Sequence, residues 1–344
     1  MDMIAESKAV FEHLKEIVPE IKGYFGILAL LGALKTGETA GDPTYIQETC
    51  KLLERFPDEV SHTYYNIKSY AIGGIARAYA LFKGYMTDEK TKKLVREYAE
   101  ELMTAPRDYD GLIKSPYVSP RNLVWIDCAM AVTPFLLYAG LALGEKTWVD
   151  EAVFQTLGMY DVFLDPKNGL LHQSRGEIAE GVLSDDHWGR GNGWGYIALT
   201  ELLEYLPEDH PERRRVCTCF GRHSHALLMC QSEKFVWRQE LDCPTSYEEA
   251  SATGLILYGF GVGIRLGYLH PHGFEKAFEN GILAMRQIFI KEGYQIHFVC
   301  PGCRTPGMGK EMGQPIAYLN KFPEVDDLHG FGPLQLAFSE AAKK

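Results

Sequence analysis

Asp185-Asp186-His187-Trp188-Gly189-Arg190-Gly191-Asn192-Gly193-Trp194 closes a long connection that begins at Leu164 and leads into a helix expected from Gly193 to Leu206. Long loop into helix is the pattern that organises the whole chain. Apolar residues recurring at three and four mark helices near Ile4 to Val18, Tyr24 to Thr36, Pro43 to Arg55, Lys68 to Phe82, Asp88 to Thr104 and Asp127 to Leu143. Further ones follow near Lys146 to Phe163, Gly193 to Leu206, His210 to Cys230, Glu249 to Leu266, Pro271 to Ile290 and Phe331 to Ala341. Strand patterns are scarce, so about twelve helices pair into six hairpins. Helices that are apolar on more than one face must pack sideways as well as on their partners. A ring of hairpins, an all-α (α/α)6 barrel, buries both layers, with an open solenoid as the competing arrangement. The expectation is one domain spanning residues 1–344.

The connections Ala105 to Trp125, Leu164 to Gly191, Lys234 to Glu248 and Glu292 to Gly330 are long, and all fall on alternate joints. In a ring they converge on one mouth, bringing Lys114, His172, Arg190 and Asp327 to the same end. In the opening segment, glycine permits backbone freedom and close approach, Arg190 offers a planar fork for a carboxylate, and Trp188 and Trp194 offer flat apolar platforms. That combination suits a sugar ring bearing a carboxylate. The plain alternative is a glycine-rich turn pinned by two core tryptophans. A phosphate loop is disfavoured, because no predicted strand precedes the glycines.

Upstream, Asn122-Leu123-Val124-Trp125-Ile126-Asp127-Cys128-Ala129-Met130 sets one carboxylate into an apolar run that opens a helix. Asp127 reads as a helix cap, as a functional acid whose pKa is lifted by desolvation beside Trp125, or as both together. His172 reads equally as a structural histidine or a sugar ligand. Glu249 and Asp326 or Asp327 read as N-terminal caps of their helices.

Composition excludes several classes. Lys and Arg number 35 against 46 Asp and Glu, and a net charge of −11 repels nucleic-acid phosphates. The longest apolar stretch, near Tyr24 to Leu34, falls short of the ~18 residues of a membrane span. Asp2, Glu6 and Lys8 stand where a secretory leader has a basic start and an apolar run, so a cytoplasmic protein is expected, a trimmed secreted chain being the alternative. The 8 cysteines are irregularly spaced. Cys300-Pro-Gly-Cys303 is half of a zinc or redox site, completed only by Cys217-Thr-Cys219 or His223-Ser-His225, and no metal is expected.

Taken together, Trp125-Ile126-Asp127, the Trp188 to Trp194 string with Pro207-Glu208-Asp209-His210-Pro211, Ser251-Ala252-Thr253, and Asp327-Leu328-His329-Gly330 with Glu340 resemble glycoside hydrolase family 105, the unsaturated rhamnogalacturonyl hydrolases. A weaker likeness runs to the unsaturated glucuronyl hydrolases of family 88, to which Cys128 is closer. The resemblance implies an (α/α)6 barrel that removes a 4,5-unsaturated uronic acid from the non-reducing end of lyase-generated oligosaccharides, such as rhamnogalacturonan fragments. It implies hydration of the C4=C5 vinyl ether, with Asp127 protonating C4 and activating the water that adds at C5. Trp188, Arg190 and Trp194 match residues that line the family's sugar pocket, His172 matches across a loop of different length, and Trp125, Lys114 and His329 are the further substrate-binding candidates. The family's second carboxylate is missing from Tyr65-Asn66-Ile67-Lys68-Ser69-Tyr70, which leaves Asn66 or Lys68 to hold a hydroxyl or the uronate. No nucleotide or redox cofactor is expected for such a reaction. The competing functions are an unsaturated glucuronyl hydrolase acting on another polysaccharide, a helical-barrel sugar epimerase using His172 and His329, and a non-catalytic helical scaffold.

Overall fold

A computed structural model describes residues 1–55, 67, 72–114, 121–302, 311 and 313–343. Its helices are α1 (Met3–Ile17), α2 (Gly23–Ala40), α3 (Pro43–Leu53), α4 (Gly74–Phe82), α5 (Glu89–Met103), α6 (Asp127–Leu143) and α7 (Lys146–Phe163). They continue with α8 (Gly189–Tyr205), α9 (Arg213–Met229), α10 (Ala250–Arg265), α11 (Pro271–Phe289), α12 (Ile316–Leu319) and α13 (Phe331–Ala341). The strands among these residues, β1 (Val124–Trp125) and β2 (Ser174–Arg175), form one antiparallel pair.

Two kinds of helix alternate, and their sequences explain why. In α5 the buried residues are Thr91, Val95, Ala99 and Leu102, one stripe at helical spacing, and Lys and Glu cover the rest. By contrast, α2 is buried without a break from Gly26 to Gly37, α6 from Cys128 to Gly140, α8 from Gly189 to Leu203, α10 from Ala250 to Gly263 and α13 from Phe331 to Glu340. Helices apolar all round must be enclosed on every side. They are: α2, α4, α6, α8, α10 and α13 each pack on the next, and α13 packs back on α2, closing an inner ring. The striped helices α1, α3, α5, α7, α9 and α11 lie outside it, each against its hairpin partner. This is the expected (α/α)6 barrel.

Because each inner helix follows an outer one, all six run the same way and begin at the same end. The long connections precede them there, and the short turns, such as Gly41 and Gly144 in left-handed conformation, lie at the other end. That far end is plugged. The Lys35 ammonium, 1% exposed, lies 3.2 Å from Glu201, and the Tyr79, Tyr205 and Tyr258 rings face it at 4.8, 5.1 and 5.4 Å. Glu201 also accepts from the hydroxyls of Tyr138 and, at 2.7 Å, Tyr258.

Of the boundaries that differ from expectation, two lie at the mouth. The helix expected from Gly193 begins at Gly189, so the glycine-rich string is helix and not loop. The helix expected from Lys68 begins at Gly74, and its first residues, 68–71, lie outside the described ones. The short α12 carries no sequence signal long enough to read.

Candidate active site

Asp127 is the first residue of α6. The strand pair puts it there: Trp125 pairs with Ser174, and the Ile126 N–H donates to the Gln173 carbonyl at 2.9 Å. Gln173 therefore lies beside Asp127, and its side-chain amide donates to Asp127 Oδ2 at 3.1 Å while its carbonyl accepts from the Tyr318 hydroxyl. From the opposite side, Asn192 of α8 holds the same segment. Its carbonyl accepts from the Leu171 N–H at 2.8 Å and its amide donates to the Leu171 carbonyl at 3.0 Å. The helix has no side-chain cap, so the capping alternative is not how Asp127 is used. Burial raises its pKa above the usual carboxylate value, a rise that the Gln173 hydrogen bond and the Arg190 charge only partly offset. A carboxyl so placed can keep a proton, deliver it, and take one back.

Arg190 is the second residue of α8, 1% exposed, with its guanidinium 4.5 Å from the centre of the Trp188 ring. Its Nη1 donates to Ser251 Oγ at 3.0 Å and to the Cys300 carbonyl at 2.6 Å. Burial works against its charge, and Cys300, Glu249, Tyr24 and Asp327 hold it protonated. Among the described residues, Nε and Nη2 have no hydrogen-bond partner. Glu249, 3.9 Å away, caps α10 as expected, accepting from the Ser251 and Ala252 N–H groups at 3.0 and 2.7 Å. On the far side of Arg190, His329 bonds Tyr24 through Nε2 and Asp327 through Nδ1. Burial, reinforced by the Arg190 charge, pushes its pKa down to about 4, so the ring is neutral. Asp326 and Asp327 do not cap α13: Asp326 accepts from the Ile296 N–H and Asp327 from that of His329.

Five of the six inner helices, α2, α6, α8, α10 and α13, thus deliver Tyr24, Asp127, Arg190, Glu249 and His329 at or next to their N-termini, where partial positive charge favours an anion. The tryptophans lie deeper than stacking platforms at a mouth would. Trp188 stacks on Tyr318 at 5.4 Å, Trp125 donates its indole N–H to Glu177 at 2.9 Å, and Trp194 belongs to the core. Lys114 lies in the α5–α6 connection, its backbone N–H bonded to the Pro106 carbonyl. Asn66 and Lys68 fall outside the described residues.

His172 turns away. Its ring packs on His187 at 4.8 Å and its Nε2 is 4.0 Å from Asp165 Oδ2. The side chain that reaches Asp127 is its neighbour Gln173, because successive residues of an extended segment point to opposite sides. That alternation, applied to residues 172–175, was the available signal. Nor are His172 and His329 paired: among the described residues, His329 bonds or packs against Tyr24, Phe25 and Asp327, and His172 packs on His187.

The glycines of α8 serve close approach and not backbone freedom, because their conformation is helical. A Cβ on Gly189 would lie 2.5 Å from the Arg238 carbonyl oxygen, and one on Gly193 would lie 2.6 Å from Leu255. Gly189→Ala should therefore destabilise the protein by about 1–3 kcal/mol, the usual range for overpacking. Thermal denaturation checks this. An unchanged or raised midpoint, as helix propensity alone would give, would contradict the packing account.

The model of the family described as Glycosyl Hydrolase Family 88 matches residues 8–344. An unsaturated rhamnogalacturonyl hydrolase, YesR, of Bacillus subtilis (strain 168) is 27% identical over 236 residues, 66% of this chain and 67% of that protein. An unsaturated 3S-rhamnoglycuronyl hydrolase of Alteromonas sp. (strain LOR) is 30% identical over 155 residues, covering 44% of this chain and 34% of that one. Among solved structures, a family 105 glycoside hydrolase from C. acetobutylicum ATCC 824 superimposes with a TM-score of 0.84 at 26% identity, covering 97% of this chain and 98% of that chain. Closed helical ring, mouth chemistry and a match over nearly the whole sequence agree: the chain belongs to glycosyl hydrolase family 88 and is a glycoside hydrolase.

Proposed function

We propose that the protein removes a 4,5-unsaturated uronic acid, of galacturonyl type, from the non-reducing end of lyase-generated oligosaccharides by hydrating the C4=C5 double bond. The observation that carries the reading is Asp127, a carboxyl with a raised pKa at a helix N-terminus, oriented by Gln173. Asp127 gives its proton to C4, and the developing positive charge is shared by C5 and the ring oxygen. Asp127, now a carboxylate, takes a proton from the water that adds at C5. The carboxyl is regenerated, and the resulting hemiketal opens and expels the neighbouring sugar. Arg190, with two donors free of partners among the described residues, and the converging helix N-termini supply the charge that holds the uronate. Ordinary glycosidases instead flank the anomeric carbon with two carboxylates.

The galacturonyl preference rests on the likeness to the Bacillus protein, and the glucuronyl type, to which the weaker family resemblance points, is the second reading. Family membership disfavours a sugar epimerase and a non-catalytic scaffold. Incubation with unsaturated galacturonyl and glucuronyl disaccharides, following loss of the enol-ether absorbance, separates the two readings. The galacturonyl substrate should turn over with the higher kcat/KM. A reversed preference would replace the sugar assignment, and flat traces on both would remove the activity.

The pH dependence has a definite sign. The proton donor is Asp127 in its acid form, present below its folded-state pKa and lost as pH rises through it. Since burial raises that pKa, kcat/KM should decline on the alkaline side at a pH above the usual range for Asp. A profile that climbs through this window would show that the carboxylate is the form required for the first step.

A further inference from the structure

The α7–α8 connection, residues 164–188, gathers two imidazoles and a carboxylate that the proposed reaction does not use. Asp165 lies just after α7, His172 just after the bridge of Leu164 with Leu171, and His187 just before α8. Their ligand atoms lie within 4.8 Å of one another, with Asp165 Oδ2 3.6 Å from His187 Nε2 and 4.0 Å from His172 Nε2. Ligands of a tetrahedral ion at ~2.0–2.2 Å stand about 3.3–3.6 Å apart, which the Asp165–His187 pair already meets and to which His172 must close in. A contraction of side chains on one loop would bring it there.

The cluster also shows what a metal-binding histidine needs behind it. His187 is 5% exposed, and its Nδ1 is 2.8 Å from Asp242 Oδ2, which fixes the tautomer with the proton on Nδ1. Its Nε2 lone pair then faces Asp165 and His172, and that atom has no hydrogen-bond partner among the described residues. A buried nitrogen without a partner is costly, and a cation removes the cost. Imidazole and carboxylate donors, with no thiolate among them, suit a divalent ion of zinc's class.

We infer that Asp165, His172 and His187, backed by Asp242, form a binding site for a divalent transition-metal ion, typified by Zn2+, that ties together the two ends of the loop carrying Gln173. The ion completes its shell with water and takes no part in hydrating the sugar. Sequence spacing could not reveal it, because the ligands are spread along a connection with none of the short spacings that mark zinc motifs.

Full-length protein stripped by dialysis against a chelator and titrated with Co2+ should develop the visible d–d bands of a four-coordinate ion, saturating at a single equivalent and bleached by Zn2+. Zn2+ should also raise the thermal midpoint in a concentration-dependent way. Asp165→Asn and His187→Ala should lose the Co2+ spectrum, and His225→Ala, on the outer helix α9, should keep it. Asp242→Asn leaves all three ligands and a half-exposed surface position, so it folds, and it should weaken Co2+ affinity ~10- to 100-fold. Absence of the bands in folded protein would overturn the site. So would a spectrum surviving in Asp165→Asn, or an affinity unchanged in Asp242→Asn.

Discussion

Replacing Asp127 by Asn should lower kcat on an unsaturated uronyl oligosaccharide by ~10²- to 10⁴-fold, the usual worth of a positioned general acid and base. KM should move little. Asn keeps the size of Asp and can still accept from Gln173, and the backbone pairing of Ile126 with Gln173 does not involve the side chain. The surrounding charge also remains, because Arg190 is held by Ser251 and the Cys300 carbonyl and not by Asp127. What disappears is proton exchange alone. Steady-state kinetics of a variant with an unaltered thermal midpoint checks this. Near-normal turnover would remove Asp127 from the chemistry.

The second large effect is expected at the opposite end of the barrel. Lys35→Met should destabilise the protein by about 3–5 kcal/mol, because it leaves Glu201 buried without its cation. Burial by itself disfavours the charge on Lys35, but Glu201, Tyr205 and Glu204 more than offset this and hold the ammonium charged. The double variant Lys35→Met with Glu201→Gln should recover part of the loss, since neutral Gln can accept from one of the Tyr138 and Tyr258 hydroxyls and donate its amide N–H to the other. Below the unfolding range kcat should stay normal, because the plug lies at the end away from Asp127. Chemical denaturation of the single and double variants measures both quantities. A single-variant loss under about 1 kcal/mol, the size of an exposed ion pair, would mean that the cluster is not the buried plug described.

The barrel was legible because its two helix classes differ in pattern. The stripe of α5 and the unbroken apolar run of α2 are both visible in the residues themselves, and a ring is the arrangement that satisfies both. The start of α8 was not, because Gly189-Arg190-Gly191-Asn192-Gly193 has poor intrinsic helix propensity and is helical only through tertiary packing. Asp127 and Arg190 could be singled out as isolated polar groups in apolar or glycine-rich settings. Gln173 could not, since an uncharged amide in a long loop carries no signal until the pairing with Ile126 places it. Tyr318 sits on a helix of 4 residues, and Asn192 reads as one more turn residue until its bonds to Leu171 are seen. The Asp165, His172 and His187 cluster is likewise a product of loop folding and not of spacing.

Hydration and conventional hydrolysis differ in which carbon receives the water. In ¹⁸O-labelled water, with products reduced by borohydride at early times to prevent exchange, hydration of C4=C5 places the label at C5 of the released keto acid. The anomeric carbon then carries none, and neither does the departing sugar. Label at the anomeric carbon of the uronate would contradict the account and assign this barrel a conventional hydrolysis.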